Sequence, residues 1–199
     1  MINKFFKRIF WRHINRLSSR PIYNRLRTRA IKKFYKNTHI GKNVLIQKNF
    51  FAPLSINLTV GDKTIIKNNF CLYYDPKSEK LNSHAVFIGS NCNILGGGTF
   101  DCSGNIVVGN NVHIGRNVKI FTHDHILTDR HKNINDTNVI VEDVKIGDDV
   151  VIFDDVVILK GTEIPAGSVV GIRAVVNGKF VEENKILAGV PAKVIKDRC

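Results

Sequence analysis

Apolar positions along this chain recur at every sixth residue. The longest run is Ile146, Ile152, Ile158, Ile164, Val170 and Val176. The same interval joins Val108, Ile114 and Ile120, and it returns in Ile40 with Ile46, in Val60, Ile66 and Leu72, and in Ile88 with Ile94. Glycine follows the aliphatic residue at Gly41, Gly61, Gly89, Gly109, Gly115 and Gly147, and a small or β-branched residue often sits four places on, as at Val44, Val112, Val118, Val150, Val156 and Ser168. Side chains repeat with period 3.6 on a helix and period 2 on a strand, so neither element alone gives six. A coil of short parallel strands does, because each corner repeats its inward aliphatic and its tight turn. The expected fold class is all-β, a parallel β-helix.

The interruptions are as informative as the repeat. A patch from Asp75 to Ala85 has few aliphatics and reads as a loop; Gly96-Gly97-Gly98 reads as a turn. Ile120 and Ile146 lie 26 residues apart, which is not a multiple of six, so residues 122–143 must be looped out. The chain closes on Leu187-Ala188-Gly189-Val190-Pro191-Ala192-Lys193-Val194-Ile195, a short C-terminal tail. Before the coil, Ile2, Phe5, Phe6, Ile9, Phe10, Ile14 and Leu17 show helical spacing, with Lys4, Lys7, Arg8, Arg12 and Arg16 on the other face. Pro21 separates this from a second helical pattern over residues 22–36. The expected division is a basic helical extension, 1–37, and a β-helix domain, 38–199.

Charge sharpens that division. The chain of 199 residues carries a net charge of +13. Residues 1–37 hold twelve Lys/Arg and no Asp or Glu, whereas the rest hold 18 against 17. The basicity therefore belongs to the extension. Its aromatic, basic helices fit docking on an anionic membrane surface. They also fit capping of the coil's open end; nucleic acid is not the expected partner. No stretch approaches the roughly 20 apolar residues of a membrane span, and the N-terminus is too interrupted by Lys and Arg for a signal peptide. Cys71, Cys92, Cys102 and Cys199 form no CxxC pair and read as reduced thiols. The expected location is cytoplasmic, peripheral at the inner membrane face.

Two motifs add chemistry: Phe121-Thr122-His123-Asp124-His125 in the excursion and Ala188-Gly189-Val190-Pro191-Ala192-Lys193 in the tail. Together with the repeat over residues 40–195, they resemble the hexapeptide-repeat acyltransferases. The branch they look like contains the maltose, galactoside and polysaccharide O-acetyltransferases. The resemblance implies a left-handed coil of roughly eighteen residues per turn. It also implies a homotrimer with active sites between subunits, and acetyl-CoA as co-substrate. By position it implies His125 as catalytic base, with His123 the competing candidate. Asp124 or a backbone carbonyl would orient the ring. The implied CoA contacts are Asp154, Ile172, Asn177 and Lys193. Arg173 and Phe153 depart from the family's pattern, the first offering a new phosphate contact and the second crowding the donor channel.

Acyl transfer to a hydroxyl needs a base to take the proton during attack. A neutral imidazole suits this at pH 7. No nucleophile motif is visible, so direct transfer in a ternary complex is expected. The expected function is CoA-dependent O-acetylation of a sugar hydroxyl in surface polysaccharide or glycolipid synthesis. The rival readings are a sugar-nucleotide N-acyltransferase and a non-catalytic trimeric scaffold. A zinc site would need a third ligand beside His123 and His125, from His113 or His131, as in the related γ-class carbonic anhydrases. No metal is expected.

Overall fold

The computed structural model describes residues 13, 16–18, 20–35, 37–78, 84–128 and 130–199. The first helical pattern, residues 2–17, falls almost wholly outside them.

The chain winds as a parallel β-helix with three faces. One face stacks Thr38–Ile40, Asn57–Val60, Ala85–Ile88, Ile106–Val108, Val144–Ile146 and Glu163–Ile164. The second runs from Leu45–Ile46 through His113–Ile114 to Val169–Val170, and the third from Cys71–Tyr73 to Val175–Val176. Registers are parallel throughout these stacks, as in His113 beside Asn93 and Val151. The sixth-position aliphatics point inward and are buried, forming one continuous core.

Two of the three corners are regular. Each turns on three residues, the third with positive φ: Asn43, Lys63, Asn91, Asn111 and Asp149 at one corner, Asn49, Asn69, Asn117, Asp155 and Arg173 at the other. Asn and Asp tolerate that left-handed conformation better than most residues. Side chains bridge from coil to coil here, as in Asn110 Nδ2 and backbone N–H to Asp148 Oδ1 and Asn117 Nδ2 to Asp155 Oδ1. The coils approach so closely that a Cβ on Gly89 would stand 2.4 Å from the Gly109 carbonyl oxygen. Only glycine fits there.

The third corner breaks the rule. Corner partners in successive coils are 20, 28, 20 and 38 residues apart, and the strand register of the last coils then settles to 18, as in Ile146 beside Ile164. The expected eighteen-residue coil is therefore a property of the last turns alone. The additional residues all leave at the corner that joins the third face back to the first. The core follows the change. In one inward column Phe50 and Phe70 give way to Gly98, then Val118, Val156 and Ala174. Gly98 leaves room for the edge contact of Phe70 with Phe100, whose ring centroids are 4.7 Å apart.

Both ends are covered. The helix Pro21–Phe34 lies against the first coil, and Ile31 and Tyr35 join the coil's own core. The backbone of Leu45 and Gln47 donates to the second coil, leaving Ile46 to face the open end. The helix satisfies it: Thr28 Oγ1 accepts from the Ile46 N–H and Arg27 Nη1 donates to its carbonyl. Tyr35 Oη and Lys32 Nζ do the same for the carbonyls of Ala52 and Gly41. Edge groups that would template aggregation are thus paired. At the other end Lys185–Gly189 pairs in parallel with the coil and antiparallel with Ala192–Asp197. All four cysteines are free. Among the described residues no helix is long and apolar enough to cross a membrane.

Candidate active site

The irregular corner brings three loops into one stack. The first leaves after Cys71–Tyr73 and carries Asp75, the second follows Thr99–Asp101, and the third is the excursion after Lys119–Ile120. The third begins as a strand, His123–His125, which pairs antiparallel with Val139–Val141.

Strand alternation decides which way this triplet points. His123 and His125 share a side, with ring centroids 5.8 Å apart. Asp124 takes the other side, where it is largely exposed and lies 3.5 Å from Lys160 Nζ. The Lys160 ammonium is held protonated chiefly by its hydrogen bond to Glu142 at 2.7 Å, with Asp124 adding to it. Asp124 is thus engaged away from both imidazoles.

The carboxylate that orients His123 comes from the coil below. Asp101 is fully buried and its Oδ2 lies 2.6 Å from His123 Nδ1. A carboxylate only accepts, so this contact puts a proton on Nδ1, and in the neutral imidazole the lone pair is then on Nε2. Asp101 is fixed by further donors. Oδ2 accepts from the Thr122 N–H at 2.9 Å, and Oδ1 accepts from the N–H and hydroxyl of Ser103 at 3.1 and 2.6 Å. The Thr122 hydroxyl donates to the Asp101 carbonyl and accepts from the Gly104 N–H, both at 2.7 Å. This network satisfies a buried polar cluster and holds one rotamer.

Asp75 closes the notch. Its N–H donates to Ser103 Oγ at 2.9 Å. Its Oδ2 stands 3.9 Å from His123 Nε2 and 4.0 Å from His125 Nε2. The His125 ring is held more loosely, by Nδ1 at 3.4 Å from the Thr137 hydroxyl. Lys77 Nζ donates to the carbonyl of Thr137 at 2.6 Å and pins the first loop to the third. Deeper in, burial pushes the Tyr73 hydroxyl up to about 12, with nearby Asp101 adding to it. Burial also raises the Cys102 thiol, which removes it as a thiolate nucleophile.

Ligand atoms of Asp75, His123 and His125 lie within 4.8 Å of one another, so among the described residues the trio is the group best placed to hold a metal. Zinc bonds of about 2.0–2.1 Å need tetrahedral ligands about 3.4 Å apart. The carboxylate would have to close about half an ångström on both rings to meet that spacing. Neither His113 nor His131 joins the trio. His113 sits within the second face, and the exposed His131 accepts from Arg130 Nε.

The residues expected to meet CoA lie along the late coils in three places. Asp154, Ile172 and Arg173 share one regular corner, where the Arg173 N–H donates to the Asp154 carbonyl. Asp154 Oδ1 accepts from the Arg116 N–H at 2.7 Å, and Arg173 Nε lies 3.8 Å from Asp155. Ile172 and Phe153 are both exposed. Asn177 is exposed after the third-face strand Val175–Val176, and Lys193 is exposed on the terminal hairpin opposite Ala188.

Sequence reasoning missed Asp75, Asp101 and Ser103. Asp101 had a usable signal. The 20-residue interval visible between Ile40 and Val60, and again between Ile88 and Val108, places Asp101 directly beneath Phe121. The partnership of Asp75 had none, since the loop that carries it follows no repeat.

No family model and no curated protein sequence matches the chain. Solved structures do. An N-acyltransferase from Bacillus cereus, AntD, in complex with dTDP and 3-hydroxybutyryl-CoA, superposes with a TM-score of 0.67 at 22% identity, covering 86% of this chain and 88% of that one. A hexapeptide-repeat acetyltransferase from Vibrio cholerae, complexed with acetyl-CoA, gives a TM-score of 0.61 at 21% identity, covering 96% and 85%. At such identity the likeness shows the fold, which is the left-handed parallel β-helix.

Proposed function

We propose that this protein is a CoA-dependent acyltransferase that acetylates a sugar hydroxyl, with His123 as general base. One observation carries the reading: His123 Nδ1 is bonded to the fully buried Asp101, and its Nε2, on the other side of the ring, lies beyond hydrogen-bond distance of Asp75, at 3.9 Å. The fold is shared with solved acyltransferases bound to CoA and acetyl-CoA, which supports the choice of donor.

The proton moves as follows. The acceptor hydroxyl gives its proton to His123 Nε2 as its oxygen attacks the thioester carbon. The tetrahedral intermediate collapses, the carbon–sulfur bond breaks, and the imidazolium returns the proton to the leaving thiolate. Asp101 fixes the tautomer and stabilises the transient cation, while Asp124 remains with Lys160. General-base help of this kind contributes about 10²–10⁴-fold. CoA supplies the thioester; Arg173 and Lys193, both exposed cations, would meet its phosphates and Ile172 its apolar arm. The same reading expects a homotrimer, with each notch at a subunit boundary. It places residues 1–37 beside a β-helix domain of residues 38–199.

Asp75 favours a second reading. A carboxylate facing both Nε2 atoms suits an ammonium as well as a hydroxyl, which fits N-acylation of an amino sugar on a nucleotide.

The test is thiol release from acetyl-CoA with a panel of sugars and amino sugars, for the native chain, His123→Ala and His125→Ala. Loss of about 10²-fold or more in His123→Ala, with at most a tenfold loss in His125→Ala, is expected. The reverse pattern moves the base two residues along the strand. Turnover by neither the native chain nor the variants, with no thermal stabilisation by CoA, sinks the reading in favour of a scaffold. The preferred acceptor separates O- from N-acylation.

A further inference from the structure

The capping helix has an outer face that the coil does not use. Asn24, Arg27, Thr28, Ile31 and Tyr35 turn inward and are buried. Ile22, Leu26, Arg25, Arg29 and Lys33 turn outward and are exposed, Ile22 by 64%. The hydrogen bonds of Thr28 and Arg27 to Ile46 fix this orientation, so the outer face looks along the coil axis, away from the protein. Arg16, Arg20, Arg25, Arg29 and Lys33 make no ion pair among the described residues, and the helix contains no acid. Residues 38–199 are close to charge neutrality, so their net charge does not offset the basic end.

We infer that this end of the β-helix docks on an anionic lipid surface through the outer face of Pro21–Phe34. Ile22 and Leu26, one helical turn apart, enter the interface, and the flanking cations meet lipid phosphates and carboxylates. Solvated cations alone would not need two exposed aliphatics among them. Docking in this way sets the notch at a fixed height. His123 lies three coils from the one that carries the helix, or roughly 15 Å at about 4.8 Å per strand.

The experiment is sedimentation of the full chain with vesicles of phosphatidylcholine alone and of phosphatidylcholine with phosphatidylserine, at low and high salt. Three proteins are compared: native, Arg25→Glu/Arg29→Glu, and Ile22→Ser/Leu26→Ser. Thermal melts confirm that each is folded; all four side chains are exposed. Expected are binding only to the anionic vesicles, weakening with salt, and affinity about tenfold or more lower in each double variant. Equal binding to both vesicle types overturns the inference. So does native-like binding by both variants, which would assign the interaction to residues preceding the helix. Salt-sensitive binding to duplex DNA without binding to anionic vesicles overturns it in favour of a nucleic acid. None of these outcomes depends on acyl transfer.

Discussion

The regular corners and the irregular corner of this coil are made from the same residue types and do opposite things. At the regular corners Asn and Asp side chains spend their hydrogen bonds on the next coil, as Asp148 and Asp154 do in accepting the N–H groups of Asn110 and Arg116. Those carboxylates are spent on the wall, and the backbone is packed too tightly for a Cβ at Gly89 or Gly109. At the irregular corner the surplus residues move the polar side chains off the coil wall. Asp101 still looks inward, but it meets an imidazole in addition to the backbone. Asp75 and His125 face each other across 4.0 Å and stay partly exposed. Regularity stabilises the wall; departures from it create a place where polar groups can converge without being consumed.

The strongest way to break the comparison is to damage the wall. Gly89→Val puts side-chain carbon against the backbone of Gly109, which cannot yield without parting two coils. We expect a loss of about 3 kcal/mol or more, seen as a large fall in Tm by circular dichroism. A Tm within a degree or two of native would mean that the coils slide apart freely and that the wall is not the rigid part. Asp101→Asn strikes the other region. The amide can donate to His123 Nδ1 and so favours the wrong tautomer. Turnover should fall about 10²-fold while the fold survives, at a cost of about 1–3 kcal/mol for the disturbed buried network. Unchanged kcat would separate Asp101 from catalysis and leave it a packing residue. The gentlest probe sharpens what makes the wall. Asn117→Ala loses the bond to Asp155 and strains a positive-φ position, costing about 1–2 kcal/mol. Asn117→Gly loses the bond but not the conformation. If the glycine variant melts near native, backbone conformation dominates the corner. If both variants fall equally, the side-chain ladder does.

The helix offers a similar contrast on a smaller scale. Its apolar and basic spacing over residues 22–36 is plain in the sequence, which favours membrane docking and also allows capping of the coil. Thr28 and Arg27 settle the inner face, because they bond the edge of the first coil. No spacing rule foretells that, since the bonds depend on where the open Ile46 backbone happens to point.

What the sequence determined by itself is the coil and its exceptions. Aliphatics every sixth residue specify a coil of short parallel strands, because only inward positions need be apolar and each corner must repeat; the resemblance to hexapeptide-repeat proteins implied three strands per turn. The same count exposed residues 75–85 and 122–143 as loops, and the H-D-H triplet stood out within the second. What only the tertiary structure decided is which groups those loops bring together. His123 and Asp101 are 22 positions apart along the chain and 2.6 Å apart in space, a contact that exists because a coil of about 20 residues returns the backbone to the same corner. Alternation on the strand then turns Asp124, the sequence neighbour, to the opposite side. Local pattern records burial, which is a one-residue property. A site is a set of distances between residues on different turns, and those are fixed by the length of every coil in between.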